Sequence, residues 1–132
     1  MSSKELNLLT RSIIGCAIQV HKTLGPGLLE SVYEGAMCLE LEHHKIPYRN
    51  QVYLPIFYRR KRISAPLKID LLVAETVIVE LKAIDVLLPV HEAQLLSYLR
   101  LSGKDVGLLI NFNVCVLKEG IRRKMRTFPI ST

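Results

Sequence analysis

Lys68-Ile-Asp-Leu-Leu-Val-Ala-Glu-Thr-Val-Ile-Val-Glu-Leu-Lys82 is the stretch that decides how the rest of the chain is read. Its Leu, Ile and Val content predicts two short β-strands, residues 67–73 and 77–82, joined by Ala74-Glu75-Thr76. Side chains alternate between the two faces of a strand. One face would then carry Ile69, Leu71, Val73, Val77, Val79 and Leu81, and the other Lys68, Asp70, Leu72, Ile78, Glu80 and Lys82. A three-residue loop pairs Val73 with Val77, Leu71 with Val79 and Ile69 with Leu81. On the opposite face it pairs Leu72 with Ile78 and Asp70 with Glu80. A slip of one residue would mix the two faces.

In that register two carboxylates stand opposite each other, with Cβ atoms roughly 4.5–5.5 Å apart. Like charges so placed repel, and something must offset the repulsion. A divalent cation such as Mg²⁺ or Mn²⁺ would do so, because these ions take hard oxygen ligands. So would Lys68 and Lys82, or plain solvent exposure. Lys82 shares the face of Glu80 and can reach whatever the carboxylates hold. An ordinary solvated, salt-bridged face accounts for the same residues, and the pattern alone leaves both readings open.

The chain of 132 residues is long enough for one domain with a core, and we expect a single domain over residues 1–132. A hydrophobic content of 49% and a mean hydropathy of +0.25 argue against disorder. No apolar run has the length of a membrane span, and Met-Ser-Ser-Lys-Glu-Leu does not resemble a signal peptide, so a cytoplasmic protein with no membrane partner is expected. The cysteines, Cys16, Cys38 and Cys115, lack zinc or C-x-x-C spacing and read as buried free thiols.

The net charge of +6 suits a polyanionic partner without specifying one. Arg59-Arg60-Lys61-Arg62 forms one basic cluster, expected at a β-turn. Lys118, Arg122-Arg123-Lys124 and Arg126 form a second, expected in a C-terminal tail. Each reads first as a solvated surface. Tyr58 and Phe128 are the nearest aromatics that could stack on bases.

Ser2-x-x-Glu5 resembles a capping box opening a helix over about residues 3–23, with Leu6, Leu9, Ile13, Ala17 and Val20 as its apolar stripe. Gly25-Pro26-Gly27 breaks the chain. A second helix, about residues 28–45, would bury Leu29, Val32, Ala36, Leu39 and Met37 or Leu41. Glu30 lies in its first turn, where the helix dipole alone favours an acid. Residues 48–58 read as a long strand in which Pro55 implies a sheet edge or a bulge. The basic turn leads back into the central hairpin and completes an antiparallel meander. Pro89 suits the start of a third helix, about residues 90–101, with Leu95, Leu96 and Leu99 inward and Gln94 beside Tyr98 on another side. His91 reads as a capping or surface residue, and His21, His43 and His44 as surface. Residues 106–112 read as a strand covered on both faces, parallel to the Glu80 strand through a right-handed crossover. Residues 114–117 are expected to add a strand. The fold class is α/β, a mixed sheet of antiparallel meander plus parallel strand flanked by helices.

Four segments together carry a resemblance. Leu24-Gly-Pro-Gly-Leu-Leu-Glu-Ser-Val-Tyr33, Ile78-Val-Glu-Leu-Lys-Ala83, His91-Glu-Ala-Gln-Leu-Leu-Ser-Tyr98 and Val106-Gly-Leu-Leu-Ile-Asn-Phe112 occur in the order seen in the GxxExxY protein family, a branch of the PD-(D/E)XK nuclease superfamily. Ile69 stands before Asp70 where the superfamily's name has proline. The resemblance implies a restriction-endonuclease-like sheet and a metal-dependent nuclease acting on DNA or RNA. It implies that Asp70, Glu80 and the Leu81 carbonyl hold Mg²⁺ or Mn²⁺, with Glu30 as an additional acid. Lys82 would orient or activate the attacking water, and Gln94 with Tyr98 would brace the site. The alternatives are a catalytically silent nucleic-acid-binding or accessory protein with this fold, and a structural domain whose acids are salt-bridged. Assembly as a homo-oligomer is compatible with the sequence.

Overall fold

A computed structural model describes residues 1–127. The elements run α1 (Ser3–Leu24), α2 (Glu30–His43), β1 (Tyr48–Tyr58), β2 (Lys61–Val73), β3 (Val77–Lys82), α3 (Pro89–Ser102), β4 (Val106–Asn111), a 3-10 turn (Leu117–Gly120) and β5 (Ile121–Met125). The sheet order is β1-β2-β3-β4-β5. All neighbouring strands are antiparallel except β3 and β4, which are parallel and joined through α3. This is the expected mixed sheet. The α1–α2 pair covers one face and α3 the other.

The first face holds the larger core. Ile13, Cys16, Ala17 and Val20 of α1 meet Tyr33, Met37 and Leu41 of α2 over Leu71, Val73, Val77, Val79, Leu81, Leu108 and Ile110. On the second face Leu95 and Leu99 of α3 pack on Leu72, Ile78 and Leu109. Both faces of β3 and β4 are thus covered, which is why their sequences are almost uninterruptedly apolar. The Ser2–Glu5 capping box is formed. His91 acts as a cap, its Nδ1 accepting from the Leu88 N–H at 2.8 Å.

Several expectations change. The buried stripe of α2 is Tyr33, Met37 and Leu41, whereas Leu29, Val32 and Leu39 are exposed. Tyr33 belongs inside because its hydroxyl is satisfied there, as described below. Residues 114–117 form no strand. Of the second basic cluster, Arg122-Arg123-Lys124 lie on β5 at the sheet edge rather than in a tail, with Lys118 in the 3-10 turn and Arg126 just past the strand. The cluster's charges are partly spent locally: Lys124 pairs with Glu92 at 2.5 Å and Arg126 with Asp105 at 2.8 Å. Phe128 lies outside the described residues. The cysteines are free, but only Cys16 is buried, and Cys115 is exposed. His21 is no plain surface residue, since it donates through Nε2 to the Val114 carbonyl at 2.7 Å. Strand β1 is a sheet edge with a register shift around Pro55, as its proline requires.

The central hairpin pairs as read over three positions, Val73↔Val77, Leu72↔Ile78 and Leu71↔Val79. There the ladder stops. Ile69 packs with Leu72, Ile78 and Val52 on the α3 face instead of beside Leu71. The same point is irregular in β1, where Gln51 has φ 53° and leaves its pairing with β2 unmade. Strict alternation therefore fails at residue 70, where β2 parts from β3.

Candidate active site

Asp70 and Glu80 occupy the opening. In place of a continued ladder, each carboxylate takes a main-chain N–H: Leu81 N donates to Asp70 Oδ2 at 2.9 Å, and Asp70 N donates to Glu80 Oε1 at 3.3 Å. Side chains thus replace backbone as acceptors, leaving two acids together at the widening between strands. Asp70 is half-buried, while Glu80 is 6% exposed.

That burial has an electrostatic consequence. Removal from water, reinforced by the negative charge of Asp70, pushes the Glu80 carboxyl up to about 8. The Asp70 N–H and the charge of Lys82 pull the other way. Lys82, half-buried two residues along β3, is therefore close enough to act on Glu80 but does not neutralise it. From α3, Tyr98 faces the same charges. Burial first, then Glu80 and Asp70, raises its hydroxyl above the ordinary value, opposed by a hydrogen bond with Gln94. Asp70, Glu80, Lys82 and Tyr98 accordingly belong to one electrostatic neighbourhood, whereas Gln94 is exposed and touches it only through Tyr98.

Glu30 differs. It is the first residue of α2 and is exposed. Among the described residues no three His, Cys, Asp or Glu side chains come together as a metal-holding group, so Glu30 does not join the two acids in a closed triad. Its helix start is nonetheless tied towards the end of β3. The Tyr33 hydroxyl donates to the Gly25 carbonyl at 2.6 Å and accepts from Leu28 N–H at 3.2 Å, pinning the loop before Glu30. The Tyr33 ring stacks on Phe112, whose N–H donates to the Lys82 carbonyl at 2.9 Å. Asn111, 1% exposed, continues this end of the sheet: Nδ2 donates to Ile84 O at 2.9 Å and Oδ1 accepts from Ile84 N at 3.1 Å. Tyr33, Phe112 and Asn111 thus position what the sequence singles out. All three fall within the quoted motifs, but their roles emerge only from the contacts.

The residues suit a hard divalent cation by the chemistry of their donors. Two carboxylates and a main-chain carbonyl offer oxygen only, and a buried carboxyl driven up to about 8 is one whose ionised form lacks a compensating cation. A groove lined by Ser12, Cys16, Gln19, Glu40, His43 and His44 contains none of these residues and plays no part in the site.

A family model of the PD-(D/E)XK nuclease superfamily matches residues 7–124. The chain belongs to that superfamily, and its mixed sheet between helices is the restriction-endonuclease-like fold. Superfamily membership supports a nuclease-like function and a nucleic-acid substrate. No curated protein and no solved structure matches it. No helix of the described residues is long and apolar enough to cross a membrane.

Proposed function

We propose that this chain is a single nuclease-like domain, of the GxxExxY branch, that hydrolyses phosphodiester bonds of DNA or RNA with the help of Mg²⁺ or Mn²⁺. The observation that carries the reading is the pair Asp70 and Glu80, set where β2 and β3 part, with Lys82 alongside. In this reading Asp70, Glu80 and the Leu81 carbonyl would hold the cation, with Glu30 of α2 as an additional acid. A cation bound there supplies polarisation of a phosphoryl oxygen and a bound water of lowered pKa.

The protein's own groups do the rest. Lys82 holds the attacking water by hydrogen bonding and offsets negative charge growing on the phosphate. Asp70, with its carboxylate anchored on Leu81 N–H, keeps its orientation without depending on a ligand. Gln94 and Tyr98 brace the acids from α3, and the Tyr98 hydroxyl, which stays protonated beside two acids, can donate a hydrogen bond to a phosphate oxygen. The test is cleavage of labelled single- and double-stranded DNA and RNA with Mg²⁺, Mn²⁺ or EDTA. Metal-dependent cutting that disappears in Glu80→Gln supports the reading. Metal binding without cutting of any of the four substrates would instead mark a silent, nucleic-acid-binding relative.

A further inference from the structure

Strands β1 and β2 continue well past the sheet. Strand β3 pairs with β2 no further out than Leu71, whereas β1 follows β2 to the turn at Tyr58↔Lys61. Residues 61–66 are all exposed. The outer part is therefore a two-stranded arm, about 25 Å long at the usual rise per residue. Such an arm gains little from a core.

Its surface is specialised. Three exposed rings lie on it, Tyr53 (63%), Phe57 (52%) and Tyr58 (65%). Each stands directly across from a cation: Tyr53↔Lys68, Phe57↔Arg62 and Tyr58↔Lys61. The Arg59 guanidinium lies 5.9 Å from the centre of the Tyr58 ring. No Asp or Glu occurs between Glu42 and Asp70, and no ion pair among the described residues engages residues 59–68.

The turn adds an independent observation. Arg59 and Arg60 sit at φ 51° and 64°, in the left-handed region where a two-residue hairpin favours Asn-Gly. Ala74 and Glu75 hold the same conformation in the β2–β3 turn, so what distinguishes the turn of the arm is that both of its residues are cations. Finally, β2 runs from this arm straight into Asp70, so a chain lying along the arm is led towards the acids.

We propose that the β1–β2 arm is the docking surface for a single-stranded stretch of nucleic acid. Bases stack on Tyr53 and Phe57, which share one face of the arm with Lys68 and Arg62 across from them. Those cations, with Arg59 and Arg60 at the turn, meet the phosphates. Tyr58 and Lys61 lie on the reverse face. The proposal rests on the nuclease reading only for the direction in which the strand is fed. Rings paired with cations on a ribbon that leads to the two acids favour a nucleic-acid strand. An anionic lipid surface can also take rings beside charges, and the vesicle measurement below separates the two. A second copy pairing arm to arm would set like charges together.

The test is fluorescence anisotropy of labelled single strands and duplexes of about 12 nucleotides, long enough to span the arm at ~3.4 Å per base. EDTA is present, so that binding is read without turnover. Arg59→Asn with Arg60→Gly gives the arm a better turn, so loss of binding cannot be loss of folding. It should weaken single-strand binding about tenfold and flatten the slope of log K against log salt by about 1.4, two single-strand phosphate contacts. Tyr53→Leu with Phe57→Leu should weaken binding about tenfold with the slope unchanged. The arm proposal is overturned by wild-type protein that binds no single strand, by variants that bind like wild type, or by tighter binding of duplex. It is equally overturned if the substitutions abolish binding to anionic vesicles or self-association instead. Arm-dependent binding with no cleavage in Mg²⁺ or Mn²⁺ would sink the nuclease reading and keep the arm. Unchanged cleavage by arm variants would do the reverse.

Discussion

Tyr33 lies flat on Phe112, ring centroids 4.5 Å apart and planes 6° from parallel, and Phe112 N–H holds the Lys82 carbonyl. The stack links the loop that opens α2 to the end of the strand that carries Glu80 and Lys82. Its hydroxyl end fixes Gly25 and Leu28, just ahead of Glu30.

Tyr33→Phe keeps the stack and removes both hydrogen bonds. Because Leu28 and Gly25 retain access to water, the expected cost is about 1 kcal/mol. Tyr33→Ala also empties a fully buried site and should cost about 3–5 kcal/mol. Urea titration measures both. If Glu30 serves the site, Tyr33→Phe should lower cleavage by more than its small stability change explains. Equal cleavage by wild type and Tyr33→Phe would detach Glu30 from the reaction.

Glu80 makes stability depend on pH in an unusual direction. Its carboxyl is raised from 4.5 when unfolded to about 8 when folded, so the folded state holds a proton that the unfolded state releases. Stability without metal should therefore fall as pH rises from 4.5 to about 8, by on the order of a few kcal/mol, and level off above. Glu80→Gln should remove this slope and be the more stable protein at about pH 8. Mg²⁺ binding near neutral pH should release close to one proton, because it requires the ionised carboxylate. Calorimetry in two buffers of different ionisation enthalpy reads that proton directly. No proton release would mean that Glu80 is not a ligand.

Gly120 is required by close approach rather than by a turn. A Cβ there would lie 2.2 Å from the Asn111 carbonyl oxygen and 3.1 Å from Val114 Cγ2. The nearest obstacle is backbone, which no rotamer change relieves. Gly120→Ala should cost about 1–3 kcal/mol and lower Tm by about 5 °C or more. It should also disturb Asn111, which fixes Ile84 beyond Lys82. A thermal melt indistinguishable from wild type would contradict this packing.

Much of this architecture is legible in the sequence. Apolar alternation and the Ala74–Thr76 loop set the inner three pairs of the hairpin, and Pro55 marks the edge strand. The fate of Asp70 is not legible, because period-two alternation assumes an unbroken ladder. In the fold, side-chain oxygens replace the carbonyl partners and a left-handed Gln51 breaks the facing strand, which sends Ile69 to the other face. Strand β5 escapes a sequence reading because Arg122-Arg123-Lys124 carries too little apolar surface to signal a strand. It needs little, since Ile121–Met125 closes an edge and sets Ile121 alone of its residues against the larger core. For α2, preferring Leu to Tyr misplaces the stripe. Only the partners of the Tyr33 hydroxyl show why the tyrosine is inside. Glu30 enters through family resemblance, and its exposure is consistent with at most an outer role.

Asp70→Asn and Lys82→Ala should fail in different ways if the site works as proposed. Asp70→Asn removes a ligand charge, so affinity for Mg²⁺ or Mn²⁺ should drop about tenfold or more, and cleavage with it. It also relieves the repulsion on Glu80, whose carboxyl should move down from about 8 towards the ordinary value. Lys82→Ala removes a positive charge that favours ionised Glu80 but also repels a cation nearby. Those effects oppose each other, so metal affinity should change by less than about threefold, well under about 1 kcal/mol. Cleavage should still fall about 100-fold or more, because nothing then orients the water or offsets charge on the phosphate. Metal-binding calorimetry beside single-turnover cleavage separates the two variants. Retained cleavage in Lys82→Ala would show that Lys82 neither holds the water nor offsets charge on the phosphate. Loss of metal binding in it would show that the lysine acts through the metal site instead.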